Sequence, residues 1–137
     1  MLEIQEKFDT AGYELLTERA GNNNLHITEA MEQGRAVGFI AYAYQAESTV
    51  VYDYDDNGDL MLCDGLVRSV MFKSVLKGIE TMIFDIPDKS KFDNLKKLRF
   101  LVGNSNICEN LDGFMNACES CKKKKGGGLR YANQNFI

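Results

Sequence analysis

The sequence predicts an α/β fold in which a mixed, mainly antiparallel sheet is flanked by helices, with an extra helix towards the C-terminus. Three observations carry this reading. Two neighbouring segments alternate apolar and polar residues around a Gln33-Gly34 turn signal, as the arms of a β-hairpin do. A wide helical stripe then separates two further strand-like runs, the pattern of a βαβ crossover that sets two strands parallel. Finally, 137 residues at 45% hydrophobic content suffice for the core of one domain.

In chain order, Phe8, Ala11, Leu15, Leu16 and Ala20 recur at helical spacing, and Gly21 ends the run. Leu25 to Glu32 alternates as a half-buried strand, and Val37 to Ala46 is its longer, aromatic-rich partner. Thr49 to Asp55 is a third strand, closed by Asp56-Asn57-Gly58. Leu62, Leu66, Val67, Val70, Met71, Val75 and Leu76 form one helical stripe, with Gly78 as a left-handed cap. Ile79 to Ile86 reads as a buried strand stopped by Pro87, and Phe92, Leu95 and Leu98 mark a helix. Ile107, Leu111, Phe114, Met115 and Cys118 fit one more helix that runs into the lysines. The domain spans residues 1–125; Gly126-Gly127-Gly128 then links to a tail that is a short strand or a disordered end.

Charge is unevenly placed. Residues 122–137 hold Lys122, Lys123, Lys124, Lys125 and Arg130 and no acid, so with a total of −4 the body before them carries −9. An acidic body repels nucleic acid and anionic membrane, and neither is expected as a partner. The lysine run is a solvated helix end or a local anion contact. No apolar run reaches the length of a membrane span, and the opening MLEIQEKFDT does not read as a secretory leader. With four cysteines and no leader, reduced thiols in a cytoplasmic protein are expected.

The cysteines admit three readings. Cys63, Cys108, Cys118 and Cys121 could close a tetrahedral zinc site, although C-x9-C-x2-C plus one remote cysteine is not a double-knuckle pattern. Alternatively, Cys63, Cys108 and Cys118 are small buried hydrophobes, with Cys121 partly exposed. Cys121 also precedes the lysines, and adjacent cations favour a reactive thiolate. His26, the one histidine, fits a half-buried sheet position with no ligand at metal spacing.

The order helix, antiparallel strands, strand–helix–strand, helix resembles the GNAT N-acetyltransferases. Asp64 to Ile86 (DGLVRSVMFKSVLKGIETMIFDI) is similar to the family's central helix and following strand, and Lys97 to Leu101 to the end of its next helix. The likeness covers residues 8–101. It implies acetyl-CoA or another acyl-CoA as cofactor and a small-molecule amine as acceptor, with direct transfer in a ternary complex. In the family, spaced glycines before the central helix let backbone N–H groups meet the cofactor's pyrophosphate. The matching positions here are Gly58 and Gly65, with Arg68 as the nearby cation. Asp59 and Asp64 lie beside them, and Arg99 stands where the later family motif has glycine. Tyr52 and Tyr54 lie on the strand that would bind pantetheine, and Glu47 or Asp53 could act as a base. No catalytic residue is assigned.

Two functions follow from these residues. One is an N-acyltransferase. The other is a non-catalytic binding or regulatory protein that keeps the fold, in which the cysteines could hold zinc. In either case Leu111, Phe114 and Met115 need a covering surface, from this chain or from a second copy in a homodimer.

Overall fold

The computed structural model describes residues 2–21 and 23–116. Its elements are β1 (Leu2–Lys7), α1 (Glu14–Ala20), β2 (His26–Glu32), β3 (Arg35–Gln45), β4 (Ser48–Asp55), α2 (Leu60–Leu76), β5 (Thr81–Phe84), α3 (Lys91–Lys97), β6 (Ile107–Glu109) and α4 (Leu111–Met115). The strands lie side by side in chain order in a six-stranded sheet. Every neighbouring pair is antiparallel except β4 and β5, which the α2 crossover makes parallel. The β2–β3 hairpin closes through Gln33 and Gly34, both at positive φ (53° and 77°), the backbone that a two-residue turn needs.

Each face of the sheet has its own core. On one face, Ile40, Tyr42, Val51 and Tyr54 meet Leu66, Val67, Val70 and Met71 of α2, with Leu95, Leu101 and Leu111 closing the side. Full burial of each leucine or valine there contributes about 1.5–3 kcal/mol. On the other face, Ala20 of α1 and Leu25 pack on Ile27, Ala41, Ala43, Val50 and Tyr52.

A bulge positions the functional end of the sheet. Ala41 pairs with Asp53 but Tyr42 pairs with Val51, which leaves Tyr52 as an extra residue on β4. Val51 and Tyr54 therefore both reach the α2 face, while Val50 and Tyr52 reach the α1 face. The parallel ladder ends here too: it runs from Ser48↔Thr81 to Val51↔Phe84 and closes with Asp85 N–H donating to the Val51 carbonyl. Beyond that bond the two strands separate.

Several sequence expectations change. The first helix starts at Glu14, not Phe8, because Gly12 takes φ 92° and Asp9 caps the Ala11 N–H in a turn. Phe8 is fully exposed. Leu2–Lys7 is an edge strand that the sequence alone does not mark: its alternation is confined to Leu2 and Ile4, and all its residues but Lys7 are exposed. Ile107–Glu109 is a strand against β5, and only Leu111–Met115 remains helical. Leu111 is fully buried, and Phe114 and Met115 are half-buried against the same core.

Of the four cysteines that could hold zinc, only Cys63 and Cys108 lie among the described residues. No three His, Cys, Asp or Glu side chains among the described residues gather as a metal site. Cys63 and Cys108 are buried free thiols in the α2-side core. Cys118 and Cys121, with the lysine run and the glycine link, lie outside the described residues. No described helix is long and apolar enough to cross a membrane.

Candidate functional site

Where β4 and β5 part, the strand edge of β4 loses its partner, and buried or half-buried backbone groups there need others. Two cations from distant parts of the chain supply donors. Arg19, in the last turn of α1, donates to the Tyr52 carbonyl (2.7 Å) and the Asp85 carbonyl (2.6 Å), bridging the two strands. Lys91, at the start of α3, donates to the Tyr54 carbonyl and to Asp53 Oδ1, each at 2.7 Å. Asp53 Oδ1 in turn accepts from the Tyr54 N–H at 2.9 Å. The Asp53–Lys91 pair thus satisfies both backbone groups of Tyr54, as a neighbouring strand would.

Beside this wedge lies a cavity of about 690 Å³. Tyr13, Leu16, Phe39 and Pro87 give it apolar walls, and Arg19, Lys91, Asp53, Glu14 and Asp88 bring charge to its rim. Tyr13 and Phe39 stack at a tilt with centroids 4.9 Å apart. The Tyr13 hydroxyl donates to Glu29 at 2.7 Å. Burial, and then that bond to a carboxylate, push its pKa well above the ordinary phenol value.

The loop before α2 is built differently. Asp59 caps the helix, its carboxylate accepting from Met61 N–H (3.0 Å) and Leu62 N–H (3.3 Å). Asp56 Oδ1 accepts from Gly58 N–H (3.0 Å), and Asp55 Oδ1 from Asn57 N–H (2.9 Å). Four amide donors of this loop-to-helix turn, those of Asn57, Gly58, Met61 and Leu62, are therefore met by the chain's own carboxylates. A helix N-terminus attracts anions through such donors. Here three aspartates already stand in the anion's place.

The sequence-derived site residues divide between these places. Gly58 is in the loop at φ 73°. Gly65 lies within α2, and a Cβ there would come within 3.1 Å of Ile4 Cδ1 of β1. Arg68 pairs with Asp64 across one helical turn (3.0 Å) and stacks over Phe100 and Phe114. Tyr52 is buried on the α1 side, its hydroxyl accepting from Gln45 Nε2. Tyr54 is buried on the α2 side, its hydroxyl donating to the Lys91 carbonyl at 2.6 Å. Burial pushes its pKa far up, so this phenol stays protonated at neutral pH. Tyr52 and Tyr54 share the wedge, while Gly65 and Arg68 belong to packing around α2. Arg19 and Lys91, the central side chains of the wedge, escaped sequence reasoning because their partners lie 33 and 37 residues away with no spacing rule to link them.

The architecture just described recurs in solved structures. The ribosomal-protein-S18-alanine N-acetyltransferase of Escherichia coli superposes with a TM-score of 0.57 at 10% identity, covering 76% of this chain and 80% of that one. A protein of Desulfovibrio desulfuricans assigned to the GNAT acetyltransferases gives 0.57 at 12% identity, covering 77% and 87%. PaiA N-acetyltransferase of Thermoplasma acidophilum, in complex with coenzyme A, gives 0.50 at 14%, covering 69% and 64%. This chain has the GNAT fold. At such identities the likeness extends to the fold alone. No family profile and no curated protein sequence matches the chain.

Proposed function

We propose that this protein is a non-catalytic, GNAT-fold binding protein whose ligand seat is the wedge and cavity between α1, β4 and β5. The observation that carries this is the loop before α2, where Asp55, Asp56 and Asp59 take the Asn57, Gly58, Met61 and Leu62 amides. A pyrophosphate entering there would have to displace carboxylates and then sit among them. At an effective dielectric near 20, each like charge at about 4 Å opposes it by about 4 kcal/mol before screening. Arg68, the nearest cation in sequence, is engaged with Asp64 and two phenylalanine rings.

Calorimetry of the reduced full chain with acetyl-CoA and with coenzyme A tests this. No saturable heat at millimolar ligand is expected. Micromolar binding of either compound would overturn the proposal.

A second reading, N-acyl transfer to a small amine, is favoured by the open β4 edge and the cavity beside it. In that reading an acyl-CoA lies along Ser48–Asp55 and displaces Lys91. Asp53 is then the carboxylate nearest the strand edge to receive the amine's proton. Micromolar acetyl-CoA binding in the same titration would turn the assignment to this reading.

A further inference from the structure

The separation of β4 from β5 leaves an edge that asks for a strand. The Tyr52 carbonyl, Tyr54 N–H and Tyr54 carbonyl are held by Arg19, Asp53 and Lys91 in place of a neighbouring chain. Such an edge is the kind of template to which an extended peptide adds by main-chain hydrogen bonds, while adjoining pockets choose alternate side chains.

We propose that the wedge is a peptide-binding slot: an extended segment pairs with β4 at Tyr54, displaces the Lys91 ammonium, and seats one apolar side chain in the adjoining cavity. Tyr13, Leu16, Phe39 and Pro87 form the apolar wall for that side chain. Flanking basic residues are selected by charge. Glu14, Asp53 and Asp88 outnumber Arg19 and Lys91 around the cavity, and residues 1–121 carry −9. Glu14 and Asp88 each hold neighbouring backbone N–H groups through one carboxylate oxygen, and their second oxygens can accept from a lysine or arginine of the peptide. The occupant is thus a basic peptide with a central leucine-like residue. Coenzyme A has the wrong charge for this site. The inference rests on the reading of the chain as a binding protein.

The test uses the full chain, labelled with nitrogen-15, and an N-acetylated, C-amidated tripeptide with leucine between two lysines. Pantetheine and coenzyme A are titrated in parallel. Addition of the tripeptide is expected to shift the backbone amide resonances of Tyr54 and Asp85 in a saturable way. Lys91→Met, which removes the side chain that the peptide must displace, should bind about two- to fivefold more tightly, the scale of a partly exposed ion pair. An acidic tripeptide (glutamates in place of the lysines) should bind more weakly. Absence of a saturable shift at Tyr54 in the wild-type chain would overturn the proposal without needing any variant. So would equal binding of the acidic peptide, or pantetheine binding in place of the peptide. Tight coenzyme A binding alongside the peptide shifts would instead overturn the non-catalytic reading and leave the slot standing, so the two failures are distinguishable.

Discussion

Lys91 Nζ lies 2.7 Å from Asp53 Oδ1, and between them these two side chains take the carbonyl and the N–H of the intervening Tyr54 peptide. The pair is about three-quarters buried on both sides, so water screens it only in part. Lys91 also stacks near the Tyr54 ring at 5.5 Å, and its own carbonyl accepts the Tyr54 hydroxyl. α3 is thereby fastened to β4 at a point where no strand ladder joins them. Lys91→Ala should lower stability by about 1–2 kcal/mol, the cost of leaving a half-buried carbonyl and carboxylate short of a donor. Urea unfolding of both forms measures it. An unchanged midpoint would mean that water replaces the ammonium at no cost.

Two glycines on facing elements should respond oppositely to the same substitution. A Cβ on Gly38 of β3 would lie 2.6 Å from the Asp55 backbone carbonyl and 3.0 Å from Leu62 Cδ2. The backbone atom cannot withdraw without breaking the β3–β4 register, so Gly38→Ala should cost about 1–3 kcal/mol. On Gly65 the Cβ meets only the end of the Ile4 side chain, which can rotate away. Replacing a mid-helix glycine by alanine gains up to about 1 kcal/mol of helix propensity. Gly65→Ala should therefore be neutral or stabilising in thermal melts, and a large loss there would show that β1 has no room to adjust.

Asp59 caps α2, the helix on which the larger core is built. Asp59→Ala removes the acceptor of the Met61 and Leu62 amides and should destabilise by about 1 kcal/mol, whereas Asp59→Ser should recover most of the loss. Chemical denaturation of the three proteins decides this. If the alanine variant is as stable as wild type, the cap contributes nothing and the loop is held by Asp55 and Asp56.

The strands and the central helix were legible because their periodicity is local. The stripe is buried from Leu62 to Met71 at the residues the spacing marks, while Val75 is half-buried and Leu76 is exposed in the last turn, and the Gln33-Gly34 turn falls where its dipeptide says. What escaped the sequence depends on partners far along the chain. β1 has no buried face of its own and exists through its ladder with β2, and Leu2 and Ile4 alone make an alternation too short to mark a strand. Ile107–Glu109 is too short to show a period, and its strand state comes from pairing with β5. At the site, Gly58 and Gly65 drew attention as glycines, yet the surrounding aspartates determine the loop's chemistry through their hydrogen bonds.

At the opposite end of the sheet, Glu6 joins β1 to α2. Its carboxylate accepts from Lys73 (2.9 Å) and faces His26 Nδ1 (3.3 Å). Burial opposes its ionisation, but the bonds from Lys73 and His26 outweigh that and hold its pKa below the ordinary 4.5. A carboxyl depressed in the folded state contributes stability above its unfolded pKa and loses it as pH falls through the folded one. The side chain is 43% exposed, so the contribution is about 0.5 kcal/mol once solvent screening is allowed for. Glu6→Gln should melt slightly lower than wild type near pH 7, and the gap should close as the pH falls to about 3. A gap that persists at the acid end would assign the loss to packing and not to charge.

Cys63 tests how tightly the core closes behind the acidic loop. It is fully buried in α2, and burial first of all pushes its thiol up to about 12, with Asp56 and Asp64 adding to the shift. The bond with Tyr54 works the other way and does not offset this. Since the thiolate is the nucleophile, so high a pKa and no exposure make the thiol inert at about pH 8. Iodoacetamide followed by peptide mass analysis should leave Cys63 unmodified in the native protein and label it fully in denaturant. Cys108, also buried, with its pKa raised by burial and by Glu109, should behave the same way. Native labelling of Cys63 faster than of Cys108 would mean that the first turn of α2 opens on the labelling timescale, exposing the amides that Asp59 now caps.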